Sequence, residues 1–419
     1  MAERAYLCID LKSFFASVEC VERGLDPFKT NLVVSDPSRG NGAICLAITP
    51  AMKELGIHNR CRIFEIPKNV EYIVAKPRMH RYMEVSADVY SVYLRYISPD
   101  DIHVYSIDEC FLDVTEYLSL YHKTPKEMAV MLMDAVFEKT GICATAGVGT
   151  NLFLAKVALD ITAKHVPDHI GILDEAEFKR TVWTHRPITD IWNIGRGTAK
   201  RLESFGIYDL KGVAEFPENL LYREFGVNAE YLIDHAHGVE PCTISEIHNY
   251  KPKSSSISNG QILFENYSYD DALLVLREMV DGQVLELIEK QLVTDSISLS
   301  VGYSNDAVKS TGGTRKIGEY TSSYKKIMEH FENLYRETTQ KEFFIRRLNV
   351  GLNDLQDESM ATITFFTDIE AEEKEKNLQK AMISIKHKYG KNAILKGTSY
   401  TEKGTARSRN KLIGGHNGY

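Results

Sequence analysis

The sequence predicts an α+β protein of several domains. Three observations carry that expectation. The first part of the chain reads in the order strand, helix, hairpin, helix, strand, a split β-α-β pattern around one antiparallel sheet. A mostly helical stretch follows over roughly residues 174–240. After a linker-like segment, Lys251-Pro252-Lys253-Ser254-Ser255-Ser256, a last unit runs strand, helix, strand, strand, helix, strand and ends near Leu355. At 419 residues the chain is too long for one core, and its length argues for roughly three or four domains.

The opening strand, Ala5 to Leu11, carries Asp10 at its end and runs into S-F-F-A-S-V-E-C-V-E, which has helical spacing. Leu32 to Glu71 is short and turn-rich, with one helix start where Thr49 suits an N-cap and Pro50 the first helical position. Tyr82 to Ile97 sets Val85, Val89, Val92 and Tyr96 on one helix face, and Pro99 stops it. The hairpin His103 to Thr115 places Asp108 and Glu109 at its tip between two β-prone runs. A helix from Pro125 to Lys139, a strand from Ile142 to Val148 and a helix from Leu152 to Ala163 complete the unit. In such a sheet Asp10 sits beside Asp108 and Glu109, so three carboxylates converge. Adjacent carboxylates with no Lys or Arg beside them suit Mg²⁺, although a solvated acidic turn accounts for the tip alone equally well.

Composition is that of an ordinary soluble chain, 43% hydrophobic and 26% charged. No stretch is apolar enough to span a bilayer and the N-terminus lacks a signal-peptide pattern, so a cytoplasmic protein with no membrane partner is expected. Seven scattered cysteines, none in a C-x-x-C pair, indicate neither a disulfide framework nor a zinc site. The net charge is −8, yet Lys374 to Lys411 holds eleven Lys or Arg against two acids. That basic tail reads either as a polyanion contact or as a solvated, partly disordered end.

In the helical stretch, Ile194-Gly195-Arg196-Gly197-Thr198-Ala199-Lys200-Arg201-Leu202 has the form of a helix-hairpin-helix, whose exposed N–H groups can bind a DNA phosphate. A weaker second copy lies at Phe225-Gly226-Val227-Asn228. In the last unit, Ser296 to Tyr303 alternates polar and apolar residues, so one sheet face is buried and the other open. The Ser323 to Tyr335 helix covers the buried face, and Arg315, Lys316, Arg346 and Arg347 are candidates to reach phosphates from the open one.

Taken together, Asp10-x-x-x-Phe14-Phe15-Ala16-Ser17-Val18-Glu19, Tyr105-Ser106-Ile107-Asp108-Glu109-Cys110-Phe111-Leu112-Asp113-Val114-Thr115, Ala146-Gly147-Val148-Gly149 with Leu154-Ala155-Lys156, and the glycine hairpin resemble a Y-family, lesion-bypass DNA polymerase. The likeness spans roughly the first 350 residues and is nearest the UmuC-like branch of Gram-positive bacteria and their mobile elements. It implies a right-hand polymerase: a ferredoxin-like palm (1–11 and 78–173), small fingers (12–77), a helix-hairpin-helix thumb (174–240), a linker (241–253), a βαββαβ little finger (254–356) and a C-terminal extension (357–419). The implied activity is error-prone translesion synthesis on primer-template DNA with deoxynucleoside triphosphates.

The same resemblance makes Asp10, Asp108 and Glu109 the catalytic ligands of two Mg²⁺ ions, assisted by the Leu11 backbone carbonyl. Phe15 matches the steric gate that leaves no room for a ribose 2′-hydroxyl. Phe14 is grouped with the nucleotide-binding residues, although core packing is preferred for its own ring. Lys53 and Lys156 match basic residues that hold the triphosphate. Gly195, Arg196, Gly197 and Lys200 match backbone-phosphate contacts. Two departures stand out: the position of a second early aspartate is Lys12, and a nucleotide-binding tyrosine is Pro50. Thr362-Ile363-Thr364-Phe365-Phe366 resembles a degraded sliding-clamp peptide, with Ile363, Phe365 and Phe366 as its anchors. Relatives in this branch can also require activating accessory subunits. Competing readings are a non-catalytic DNA- and clamp-binding factor at stalled forks, and a palm-fold nucleotide cyclase.

Overall fold

Alternation along the first strand, Tyr6–Leu11, decides what each face of the main sheet holds. Leu7, Ile9 and Leu11 point into one core with the helices Met79–Tyr93 and Pro125–Thr140. Tyr6 and Cys8 point the other way, against Leu152, Ala155 and Leu159. Asp10 shares that second face by parity. The computed structural model describes residues 4–252, 254–305, 307–364 and 367–419; Lys253 of the linker, and Phe365 and Phe366 of the clamp-like peptide, lie outside them.

The chain divides into two compact units, one of residues 1–250 with 417–419 and one of 251–416. In the first, five strands run in the order Ile102–Val104, Glu109–Asp113, Tyr6–Leu11, Ala144–Gly149, Ile170–Leu173. All pair antiparallel except the last two. The split pattern expected from the sequence is present, with one strand more. Ile170–Leu173 is only four residues long and carries no alternation to reveal it.

Three glycines on the second face set how close the next helix lies. A Cβ at Gly147 would stand 2.0 Å from the Ala155 carbonyl oxygen, one at Gly149 2.2 Å from the Ala155 nitrogen, and one at Gly171 2.2 Å from the Ala158 oxygen. The helix Leu152–Val157 therefore rests directly on strand backbone, and then widens into a π turn over Ala158–Thr162. A small sheet of Leu32–Val34 between Ala47–Ile48 and Ile73–Ala75 has its own core of Val33, Cys45, Ile48, Met52, Ile57 and Ile66. Pro50 opens the helix Pro50–Glu54, but the Thr49 hydroxyl accepts from Leu32 N–H rather than capping that helix. Helices Glu175–Thr181, Arg196–Glu203, Leu210–Ala214, Glu218–Phe225 and Asn228–His237 pack round Phe178, Leu202, Leu221 and Leu232.

The second unit has the expected order of elements. Its sheet runs Thr311–Thr321, Leu292–Tyr303, Ile345–Asn353, Ile257–Tyr267, all antiparallel, under helices Tyr269–Glu289 and Tyr324–Thr338. The basic C-terminal segment is not a loose arm. A helix, Ile369–Tyr389, packs on Tyr269–Glu289, and acids of the same unit pair with three of the segment's cations: Lys376 with Glu358, Lys396 with Asp281, Lys403 with Glu265. Glu278 receives the Thr405 and Ala406 N–H groups. Within the first unit, Asn417 donates to the Pro77 carbonyl, and the Gly418 carbonyl accepts from His80 N–H.

Candidate active site

The acids meet because of strand register. Asp10 lies directly opposite Glu109 across the Tyr6–Leu11 and Glu109–Asp113 strands, on the face away from the helical core. Asp108 ends the loop before Glu109, and its carbonyl accepts from Leu11 N–H at 3.0 Å, so the loop is stitched to the end of the first strand. The hairpin is as expected, except that Tyr105-Ser106-Ile107 forms its loop rather than its strand.

The backbone brings the three acids together, while their side chains are parted. Among the described residues no three His, Cys, Asp or Glu side chains form a ligating cluster. Glu109 is buried and pairs with Lys156 Nζ at 2.9 Å, and Cys8 Sγ donates to its Oε1 at 3.0 Å. Asp108 accepts from Ser106 Oγ at 2.7 Å. Each of these two carboxylates is thus met by a donor of its own. Asp10 keeps its place between them, and burial, with Asp108 and then Glu109, pushes its acid up to about 7. An all-oxygen set held under like-charge repulsion fits a hard divalent cation.

Lys156 lies beneath the carboxylates, buried, with Asp160 at 3.0 Å on its other side. Burial lowers its ammonium, but Asp160, Cys8 and Glu109 outweigh that and hold it above the usual range. The contact it makes here is with Glu109, beside the triphosphate contact expected from the sequence. Lys53 is exposed and close enough to Asp10 to feel its charge, and Lys164 acts on the same ammonium. Lys164 is exposed just beyond the π turn, where no periodicity in the sequence marks it.

Phe14 is 2% exposed within the helical core, which removes it from the nucleotide-facing set. Phe15 is half-buried and stacks on Tyr82, ring centroids 4.4 Å apart and planes 15° apart. In the sequence Tyr82 stands out only as the start of a helix. Ser13, just before the helix Phe14–Glu22, sits in the left-handed region at φ 51°, and its buried Oγ has no partner among the described residues. That is a strained residue at a helix start, a common mark of a binding site.

Gly195 caps the helix Arg196–Glu203, and a Cβ at Gly195 or Gly197 would meet open space. Among the described residues, Arg196 and Lys200 form no ion pair, so both stay available to phosphates. The second glycine turn is present too, Gly226 at φ 61° between two helices. The four basic residues of the second unit separate. Arg347 opposes Gly302 on the open face. Lys316 opposes Ser296 but is held by Asp295 and Asp354. Arg315 opposes Ile297, on the helix-covered side, and pairs with Glu337 at 2.8 Å, so it does not serve the open face. Arg346 flanks a register shift and is half-buried. Thr362 is tied to Tyr320 by N–H to carbonyl at 2.9 Å, leaving Ile363 exposed.

A sheet presenting three acids at the end of one strand and the start of another, in a chain that also carries a helical glycine turn and a separate βαββαβ unit, defines a class: the right-hand polymerases. The impB/mucB/samB family model matches residues 9–160, and the model of that family's C-terminal domain matches residues 254–365. The chain is 31% identical to the "Putative UV-damage repair protein UvrX" of Bacillus subtilis strain 168, covering 98% of this chain and 97% of that one. It is 30% identical to the "DNA polymerase IV 2" of the same strain, over 99% of each. Among solved structures, a Y-family DNA polymerase chimera superposes with a TM-score of 0.63 at 23% identity, over 84% of this chain and 99% of the other. The chain belongs to the impB/mucB/samB family, the UmuC-like Y-family DNA polymerases.

Proposed function

We propose that the protein is a template-directed DNA polymerase that carries out error-prone translesion synthesis by two-metal nucleotidyl transfer. Primer-template DNA and deoxynucleoside triphosphates are its substrates, two Mg²⁺ ions its cofactors, and the cytoplasm its place of action. The observation that carries this reading is the direct opposition of Asp10 and Glu109, next to Asp108, on one sheet face. Residues 1–11 and 78–173 act as palm, 12–77 as fingers, 174–240 as thumb, 241–253 as linker and 254–356 as little finger.

Asp10, Asp108, Glu109 and the Leu11 carbonyl are the oxygens that would hold the ions. Bound there, such ions would lower the pKa of the primer 3′-hydroxyl and neutralise the triphosphate and departing pyrophosphate. The chain's own part is placement. Lys156 holds Glu109 in position, and Lys53, coupled in charge to Asp10 and Lys164, would with Lys164 meet a triphosphate approaching Asp10. The Ser13 turn opens a helix whose free N–H groups suit phosphate oxygens. The 3′-oxygen then bonds to the α-phosphorus, the bond to pyrophosphate breaks, and the hydroxyl proton leaves to solvent. Phe15 lies where a ribose 2′-hydroxyl would intrude. Gly195, Arg196, Gly197, Lys200 and Arg347 grip the duplex backbone. Ile363, with Phe365 and Phe366, tethers the chain to a sliding clamp, and activating subunits add to that.

Primer extension on undamaged and abasic templates with Mg²⁺ tests the reading. Wild type extends both, Asp108→Ala neither. Binding of primer-template without extension, with clamp and accessory subunits supplied, would instead identify a non-catalytic fork factor.

A further inference from the structure

Behind Phe15 lies a buried ionic cluster that no step of the proposed reaction uses. Glu19, one helical turn after Phe15, is fully buried. Its Oε1 accepts from Tyr82 Oη at 2.8 Å and from Arg78 Nε at 2.9 Å, and its Oε2 pairs with Arg23. Arg78 continues to Glu22 at 2.5 Å, and Arg81 joins Glu22 from the next turn. A buried carboxylate is retained only with such partners, because an unpaired one is costly.

The cluster converges on one ring. Tyr82 is fully buried and lies flat against Phe15, while Phe14 meets the same tyrosine edge-on at 6.4 Å. Burial, reinforced by Glu19, pushes the Tyr82 phenol up, so it stays protonated and donates. The hydroxyl fixes the tyrosine ring, and the tyrosine ring fixes one face of Phe15. Phe15 itself has no polar group by which it could be held.

We propose that Glu19 and Tyr82 are positioning residues for sugar selection: Glu19, locked by Arg78 and Arg23, holds Tyr82, and Tyr82 sets the height of the Phe15 ring under the incoming sugar. This rests on the polymerase reading above. Exclusion of a 2′-hydroxyl depends on a displacement of about an ångström, which a ring free to tilt does not resist. The hydrogen bond would then act on discrimination between ribose and deoxyribose.

The test is single-nucleotide incorporation of dCTP and rCTP opposite template dG, by wild type, Tyr82→Phe, Glu19→Gln, Phe15→Ala and the Phe15→Ala/Tyr82→Phe double variant. Tyr82→Phe keeps the stacked ring and loses only the donor, so it stays informative even where Glu19→Gln fails to fold. Tyr82→Phe is expected to lower the deoxy-to-ribo ratio of kcat/KM on the order of ten-fold. The double variant is expected to match Phe15→Ala, since the hydroxyl acts only through that ring. An unchanged ratio in Tyr82→Phe overturns the proposal, as does a loss in the double variant that adds in full to that of Phe15→Ala. No extension by wild type overturns the polymerase reading and this proposal with it, whereas extension with an unchanged ratio overturns this proposal alone.

Discussion

At the scale of single residues, the site is governed by how acids behave when a sheet forces them together. Burial, then Asp108 and Glu109, push the Asp10 acid up to about 7 by disfavouring its charged form. The folded value lies above the ordinary carboxylate value, so the folded chain binds the proton more tightly than the unfolded one. Stability without metal should therefore fall as pH rises from about 4 to about 7 and then level off. Asp10→Asn should remove that slope, which is at most ~1.4 kcal/mol for each pH unit crossed, in denaturant melts with EDTA over the same interval. The affinity for Mg²⁺ should rise over that interval too, since binding must expel the proton. Lys156 separates two roles. If it holds Glu109, Lys156→Gln shifts the Mg²⁺ midpoint of primer extension and leaves the KM for nucleotide within about two-fold, whereas Lys164→Ala raises that KM about ten-fold. A raised nucleotide KM in Lys156→Gln would return Lys156 to the triphosphate.

At the scale of elements, the sequence reveals what repeats and hides what merely touches. Strand, helix and hairpin follow from alternation and helical spacing, and Asp10, Asp108 and Glu109 from their place at strand ends. The Ile170–Leu173 strand and Lys164 are hidden, the first by its length and the second by the π turn before it. Arg315 is misplaced by sequence reasoning because its neighbour Lys316 has the opposite parity, and only the register with Ile297 separates them. The Ala146–Gly149 motif is the reverse case, recognisable in sequence but explained only by the helix lying on it. Gly147→Ala should cost about 3 kcal/mol or more, because the Cβ would meet backbone that cannot yield. Gly197→Ala, with open space around the new methyl, should fold at least as stably as wild type. Urea unfolding of the two variants side by side checks the contrast.

At the scale of the whole molecule, charge is the quantity to explain, because a chain of net −8 must bind a polyanion. In the basic tail that invites a DNA contact, three of the eleven cations, Lys376, Lys396 and Lys403, are instead paired with Glu358, Asp281 and Glu265 within its own unit. Pairing of this kind follows from tertiary contacts, so a charge count along the sequence cannot anticipate it. The cations proposed to meet DNA, Arg196 and Lys200 at the glycine turn and Arg347 on the open sheet face, form no ion pair among the described residues. Each phosphate neutralised releases condensed counterions, so each true contact adds about one to the slope of log K against log salt. Lys200→Ala and Arg347→Ala should each lower that slope by about one and weaken binding alike on every template sequence. Arg315→Ala should leave the slope unchanged, because its charge is committed to Glu337 on the helix side. Fluorescence anisotropy of labelled primer-template between about 50 and about 200 mM NaCl, the range over which such slopes are read, measures all three. An Arg315→Ala slope that falls as far as the Arg347→Ala slope would mean that the helix side, not the open face, meets the DNA.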